Sequence, residues 1–345
     1  MKFFKIITYN FLIFLVLITL LEVIFGYWFK KENFGIYMRK ERKVNWQTTS
    51  TFYGKNYNFF YKRNFWGFRG EEFDPENVKI IFVGGSTGNQ RFTPENLTIV
   101  GLLNDKFQDL NPKLKIFNAS TDGKSVSGYI NDFDFWFPNI PNFDPSYAIF
   151  YIGLNDRFDS FDGRYFLDKK VSEQKIDQIK DYIKNNSLIV DKFKLVKNKY
   201  FPKNTSAYDL SNNDLYDNFK YVNYEEALKI HKNLNDKNLI LVKNFRSKLN
   251  NLKIKIEELK IKPIFISQLM YDGLKDEKLF LVNNELKNFA TENKYFIIPL
   301  DEILSMKKND FFDTTHTTPQ GSKRIADKIF PLLLNFLKEN NEIRE

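Results

Sequence analysis

Residues 80–89 read IIFVGGSTGN, an apolar run that stops abruptly at Gly84-Gly85-Ser86-Thr87 and passes into polar sequence. A run this short, with no polar face, suits a strand buried on both sides. The turn behind it has three readings: a cradle for phosphate, a turn that presents a reactive serine, or a tight bend. A dinucleotide loop needs G-x-G-x-x-G, and a P-loop needs G-x-x-x-x-G-K-[ST]. Gly84 to Arg91 supply neither, so the serine and the bend remain.

Further along, similar apolar runs recur. With the first, at residues 79–83, they fall at 114–118, 148–152, 263–267 and 296–300, with helix-like stretches between them. Thr93-Pro94-Glu95 is expected to open one such helix. Strands that alternate with helices predict an α/β fold, a parallel sheet covered on both faces. Ligands of such sheets bind at the carboxyl ends of the strands, the place of the GGST turn. One gap is long: about a hundred residues separate Leu154 from Ile261, where a crossover needs only a dozen or so. Its last part repeats Leu241, Phe245, Leu249, Leu252, Ile256 and Leu259 at helical spacing. The charged, aromatic part before it, within an insertion at about 159–240, reads either as a lid over the active edge or as a peripheral excursion. Residues 32–77 read as a connector ahead of the domain at 78–345.

A serine nucleophile needs a base and a group to hold that base. The chain has two histidines. His316 stands three residues after Asp313 in a polar loop before a helix, a spacing at which one turn brings the carboxylate beside one imidazole nitrogen. His231 sits in the helix-like EEALKIHKN and reads as an ordinary surface or packing residue. Acyl transfer also needs donors for a developing oxyanion. Gly123, in NASTDGKS after the second strand, offers a backbone N–H. Asn155, in YIGLNDRFD after the third, offers an amide. Each is also ordinary turn chemistry. The order Ser, Gly, Asn, Asp–His, each just past a strand, is the informative feature.

In that order the chain resembles the SGNH (GDSL-type) hydrolase superfamily. GGST resembles its first block, NASTDG its second, GLND its third and DTTH its fifth; GFRG at 67–70 resembles a lead-in of membrane-anchored members. The first block departs from G-D-S-[LI], with Gly85 for Asp and Thr87 for Leu. The resemblance implies a flavodoxin-like three-layer α/β/α sandwich of strand order 2-1-3-4-5. It implies Ser86, His316 and Asp313 as a catalytic triad, and Ser86, Gly123 and Asn155 as the oxyanion hole. Serine, histidine and these donors complete such chemistry, so no metal or organic cofactor is implied.

Composition sets outer limits. With 345 residues and 43% hydrophobic content there is material for a large core. The formal charge of +9 comes from lysines interleaved with acidic residues, which does not point to a nucleic-acid partner. The absence of cysteine removes disulfides and thiolate metal sites. The first 31 residues read as a retained membrane anchor: Lys2 and Lys5, an apolar run at 6–25, then Tyr27, Trp28, Phe29 and Lys30-Lys31 where an interfacial belt belongs. Glu22 is the flaw in that run. Arg39, Lys40, Arg42 and Lys43 favour a cytoplasmic C-terminal side by counting. A five-residue tail offers little to translocate, and the expectation is a single-pass protein with its domain outside. Together these readings anticipate an esterase acting on an acyl ester, acetyl first, carried by envelope carbohydrate. O-acyl transfer, lipid ester hydrolysis and a non-catalytic tethered scaffold are the alternatives.

Overall fold

The computed structural model describes residues 2–26, 28–29, 44–111, 114–158, 183, 186–200, 219–232 and 236–342. Of the sequence readings, Tyr27, Lys30, Lys31, residues 39–43 and most of the 159–240 insertion lie outside these residues.

The chain opens with α1 (Lys2–Phe25), then a hairpin of β1 (Val44–Phe52) and β2 (Lys55–Arg63). There follow β3 (Ile80–Gly84), α2 (Ser86–Asn89), α3 (Ile99–Gln108), β4 (Ile116–Asn118), α4 (Val126–Asn131) and β5 (Tyr147–Tyr151). Next come α5 (Leu188–Tyr200), α6 (Tyr224–Ile230), α7 (Asp236–Glu258), β6 (Lys262–Ile266), α8 (Glu277–Glu292), β7 (Phe296–Ile298), α9 (Leu300–Ile303) and α10 (Pro319–Glu339). Strands β3 to β7 form one sheet in the order β4-β3-β5-β6-β7, every neighbour parallel. Counted within this sheet, that is the expected 2-1-3-4-5.

Strand alternation builds the two faces. Ile80 and Phe82 of β3, with Tyr147, Ile149 and Tyr151 of β5, pack on α3 and α10 through Leu103, Phe107, Ile325 and Ile329. Ile81 and Val83, with Ala148 and Phe150, face α4, α7 and α8. Each fully buried large side chain contributes roughly 1.5–3 kcal/mol, so covering both faces with helices stabilises the sheet. On α7, Leu241, Phe245, Leu249, Leu252 and Ile256 are buried as their spacing requires. Leu259 is exposed instead, because the helix stops at Glu258 and Lys260 turns the chain with φ 54°.

Two expectations change. The helix expected to open at Thr93 starts later: 95–97 form a short 3-10 turn, and Thr98 caps α3 by accepting from Gly101 N–H at 2.9 Å. The connector at 32–77 contains the β1–β2 hairpin. After it, Arg69 N–H bonds to the Asn118 carbonyl at 2.9 Å, tying the segment to the edge strand β4. Residues 3–25 of α1 form one helix long and apolar enough to cross a membrane, with a mean hydropathy of 2.3 over its most apolar stretch.

Candidate active site

Ser86 is the first residue of α2, directly beyond β3 at the sheet's carboxyl edge. Tight packing accounts for the glycine before it. A Cβ on Gly85 would stand 2.9 Å from the Asn155 amide nitrogen and 3.5 Å from the Lys124 carbonyl. The glycine thus lets Asn155 approach the residue beside Ser86.

His316 lies in the loop before α10, where Phe312 N–H bonds to the His316 carbonyl at 3.0 Å and Thr318 N–H to the Asp310 carbonyl at 2.8 Å. Asp313 Oδ1 accepts from the backbone N–H of Thr315 at 2.8 Å and of His316 at 2.6 Å, so the turn itself aims the carboxylate. Asp313 Oδ2 is 2.7 Å from His316 Nδ1, and His316 Nε2 is 2.7 Å from Ser86 Oγ. An ionised carboxylate only accepts, so Nδ1 carries the proton in this arrangement and Nε2 is left to accept from the serine hydroxyl. Burial pushes the Asp313 carboxyl up. The hydrogen bond and charge of His316, with the two backbone N–H groups, outweigh it and hold the group below the ordinary carboxylate value.

Gly123 takes φ 75°, a conformation open to glycine and costly for a side chain, in the loop after β4. Asn155 Nδ2 donates to the carbonyl of the next residue, Lys124, at 2.8 Å. All five residues singled out in the sequence therefore meet at one sheet edge. His231 is elsewhere, with Nε2 3.0 Å from the Leu274 carbonyl and its ring beside Phe280, as a packing residue.

Several supports were not foreseen. Lys124 and Asp132 form an ion pair in which both side chains are 1% exposed, below the Trp136 ring. The Tyr129 hydroxyl donates to the Lys124 carbonyl at 3.1 Å. Burial raises the Asp132 carboxyl to about 6, against the pull of Lys124 and Arg63, and raises Tyr129 well above 10. Asp156, also buried, accepts from Val126 N–H at 3.1 Å, fastening the Asn155 loop to α4. Gln268, just past β6, donates to Thr87 Oγ1 at 2.9 Å and to the Tyr151 carbonyl at 3.0 Å, and accepts from Leu154 N–H at 2.9 Å. Its place at a strand's carboxyl end was the available signal. Gln90 reaches Thr317 Oγ1 at 2.9 Å and Ser322 Oγ at 2.5 Å, linking the serine's helix to the histidine's loop.

The GFRG segment acts from below. Arg69 donates to the carbonyls of Asn89, Gln90 (2.6 Å) and Thr93 (2.6 Å) and pairs with Glu95 at 2.5 Å. It gathers carbonyls at the end of α2 and in the following turn, of which that of Gln90 also accepts from Thr93 N–H at 2.8 Å. The hairpin tip acts from the side. Phe52 packs on Phe312 at 4.9 Å, Phe312 stacks on the His316 ring at 5.7 Å, and the Tyr53 hydroxyl donates to the Phe311 carbonyl at 2.6 Å.

No protein family's sequence profile matches the chain, and no curated protein matches it. Solved structures do. An acetyl xylan esterase, AlAXEase, is 12% identical with a TM-score of 0.41, over 74% of this chain and 100% of that one. TesA is 12% identical with a TM-score of 0.43, over 74% and 97%. A member of the lipolytic G-D-S-L family from Veillonella parvula is 16% identical with a TM-score of 0.40, over 74% and 98%. At such values the likeness carries no functional conclusion, and the chemistry has to come from the side chains of this chain.

Proposed function

We propose that this chain is a membrane-anchored serine esterase of the SGNH (GDSL-type) class that hydrolyses an acyl ester. The observation that carries the reading is the relay from Ser86 Oγ through His316 to Asp313, two contacts of 2.7 Å each, at the carboxyl edge of the sheet. Ser86 Oγ attacks the acyl carbonyl carbon while His316 Nε2 takes its proton, and Asp313 stabilises the imidazolium. The oxyanion is received by the Ser86 and Gly123 backbone N–H groups and by the Asn155 amide. An amide carries two N–H donors, of which one holds the Lys124 carbonyl. The tetrahedral adduct collapses, and the leaving alkoxide takes the proton from His316. Water then attacks the acyl-serine, His316 accepts its proton, and the acid leaves as Ser86 recovers its hydrogen.

In this reading α1 stays in the membrane and the catalytic domain faces outward. There the accessible esters include short acyl groups on envelope carbohydrate, with acetyl the first to try. The test is turnover of p-nitrophenyl acetate by the full chain in detergent, beside Ser86→Ala. The variant should lose on the order of 10³-fold or more of the activity; equal turnover refutes the assignment of Ser86. Adding sugar acceptors during turnover distinguishes hydrolysis from transfer, since only transfer yields acylated sugar.

A further inference from the structure

Glu22 is the one acidic residue of α1, a group that a membrane-spanning helix carries at a cost. Its carboxylate is fully engaged. Oε1 accepts from Ser187 Oγ at 2.6 Å and Ile189 N–H at 2.9 Å; Oε2 accepts from Leu188 N–H at 3.0 Å and the Trp28 indole at 2.9 Å. Glu22 thereby completes the cap of α5's first turn: Ser187 Oγ accepts from Val190 N–H at 3.1 Å, and Glu22 takes from another helix the Leu188 and Ile189 N–H groups. The contact is confined to the anchor's end. Among the described side chains of α1, Ile18 and Glu22, one turn apart, are partly sheltered and the others are exposed. A helix of this length, about 36 Å, exceeds the hydrocarbon core of about 30 Å. A group three residues from its end therefore lies where acyl chains give way to headgroups.

From that depth α5 carries an apolar row. Ile189, Phe193, Val196 and Tyr200 are 39%, 68%, 55% and 66% exposed. At 3.6 residues per turn they fall within an arc of about 60°. Lys192 and Lys197, both exposed, stand on either side of it. A bare apolar row edged by lysines suits the boundary layer of a bilayer, the row in the acyl chains and the ammonium groups among phosphates.

We propose that α5 lies in the membrane interface as a second, shallow contact with an anionic lipid surface, held to the anchor by Glu22. This rests on the reading of α1 as an anchor and is independent of the esterase chemistry. A lone spanning helix leaves its domain free to swivel about the helix axis, and a second contact at its end removes that freedom.

Because the chain has no cysteine, single-cysteine variants can each carry one nitroxide. The full chain, as Phe14→Cys, Phe193→Cys, Val196→Cys or Lys197→Cys, is placed in nanodiscs of phosphatidylcholine with phosphatidylglycerol. Collision with oxygen is then compared with collision with a water-soluble nickel complex. Position 14 should be deeply immersed and 193 and 196 shallowly so, with oxygen preference several-fold above that at 197. The contrast should shrink in Glu22→Ala and in phosphatidylcholine alone. Water exposure at 193 and 196 with immersion at 14 overturns the interfacial helix and leaves the anchor standing; water exposure at all positions overturns both. Spin–spin broadening at 193 and 196 would mark a second copy of this chain on the row and also overturns the proposal. A contrast unchanged in Glu22→Ala or in neutral lipid overturns the clamp or the anionic surface respectively.

Discussion

Ser86, Asp313 and His316 each have the partner their chemistry requires, and the surrounding side chains set how well each is held. Asn155 is the clearest case. Its amide is fixed by the Lys124 carbonyl beside Gly85, so it is aimed before any substrate arrives. Asn155→Ala should lower kcat by about 10²–10³-fold with little change in KM, since a preorganised donor acts mainly on the transition state. Steady-state kinetics on p-nitrophenyl acetate measures this. Asp313 gives a pH signature. Its carboxyl is held below the ordinary 3.8 by His316 and two backbone N–H groups. For a depressed carboxylate, the stabilising contribution is full above the unfolded value and is lost as pH falls through the folded one. The stability gap between wild type and Asp313→Asn should therefore be constant above that value and close as pH drops below it, read by urea unfolding. Ser86, Gly123 and Asn155 were legible because each follows an apolar run at a strand's end; Asp313 and His316 lie beyond α9 and were legible from their own three-residue spacing. The Lys124–Asp132 pair was not: two charges eight residues apart, in a loop and a helix, carry no periodic signal for burial.

Among the elements, the β1–β2 hairpin was the least legible and is the most consequential. VNWQTTSTF and KNYNFFYKR lack a clean apolar alternation, and the turn uses Tyr53-Gly54, both at positive φ, in place of an Asn-Gly signal. The apolar side chains it buries among the described residues, Phe52 and Tyr61, only make sense once Phe312 and Asn89 are beside them. The helix start at Thr98 was missed for a similar reason. Thr93-Pro94-Glu95 has the right residue types, but Pro94 takes an extended backbone and Arg69 holds the Thr93 carbonyl. Arg69 is where this layer can be tested. It is buried and serves three carbonyls and Glu95, geometry that a lysine ammonium cannot reproduce. Arg69→Lys should lower stability by about 2–3 kcal/mol, the cost of leaving buried carbonyls unpaired. The shift should appear in the urea midpoint.

At the scale of the whole molecule, strand and helix periodicity sufficed for a parallel α/β sheet, because buried parallel strands are short apolar runs separated by helices, whereas the strand order came from the SGNH resemblance. The middle of the chain resisted the same reading, since α5 and α6 pack on the anchor and on the α8 side and follow no sheet period. The proposed catalytic groups come from four segments between Ser86 and His316, 230 residues apart in sequence, and only the folded sheet brings them together. An isolated serine hydroxyl is a weak nucleophile; one hydrogen-bonded to an oriented imidazole is not. The most direct test is modification by a fluorophosphonate, mapped by mass spectrometry on the native chain, the urea-unfolded chain and native Ser86→Ala. The account predicts one adduct, on Ser86, in the native chain alone. A native chain left unmodified, or labelled at another residue, or labelled equally well when unfolded, would contradict it.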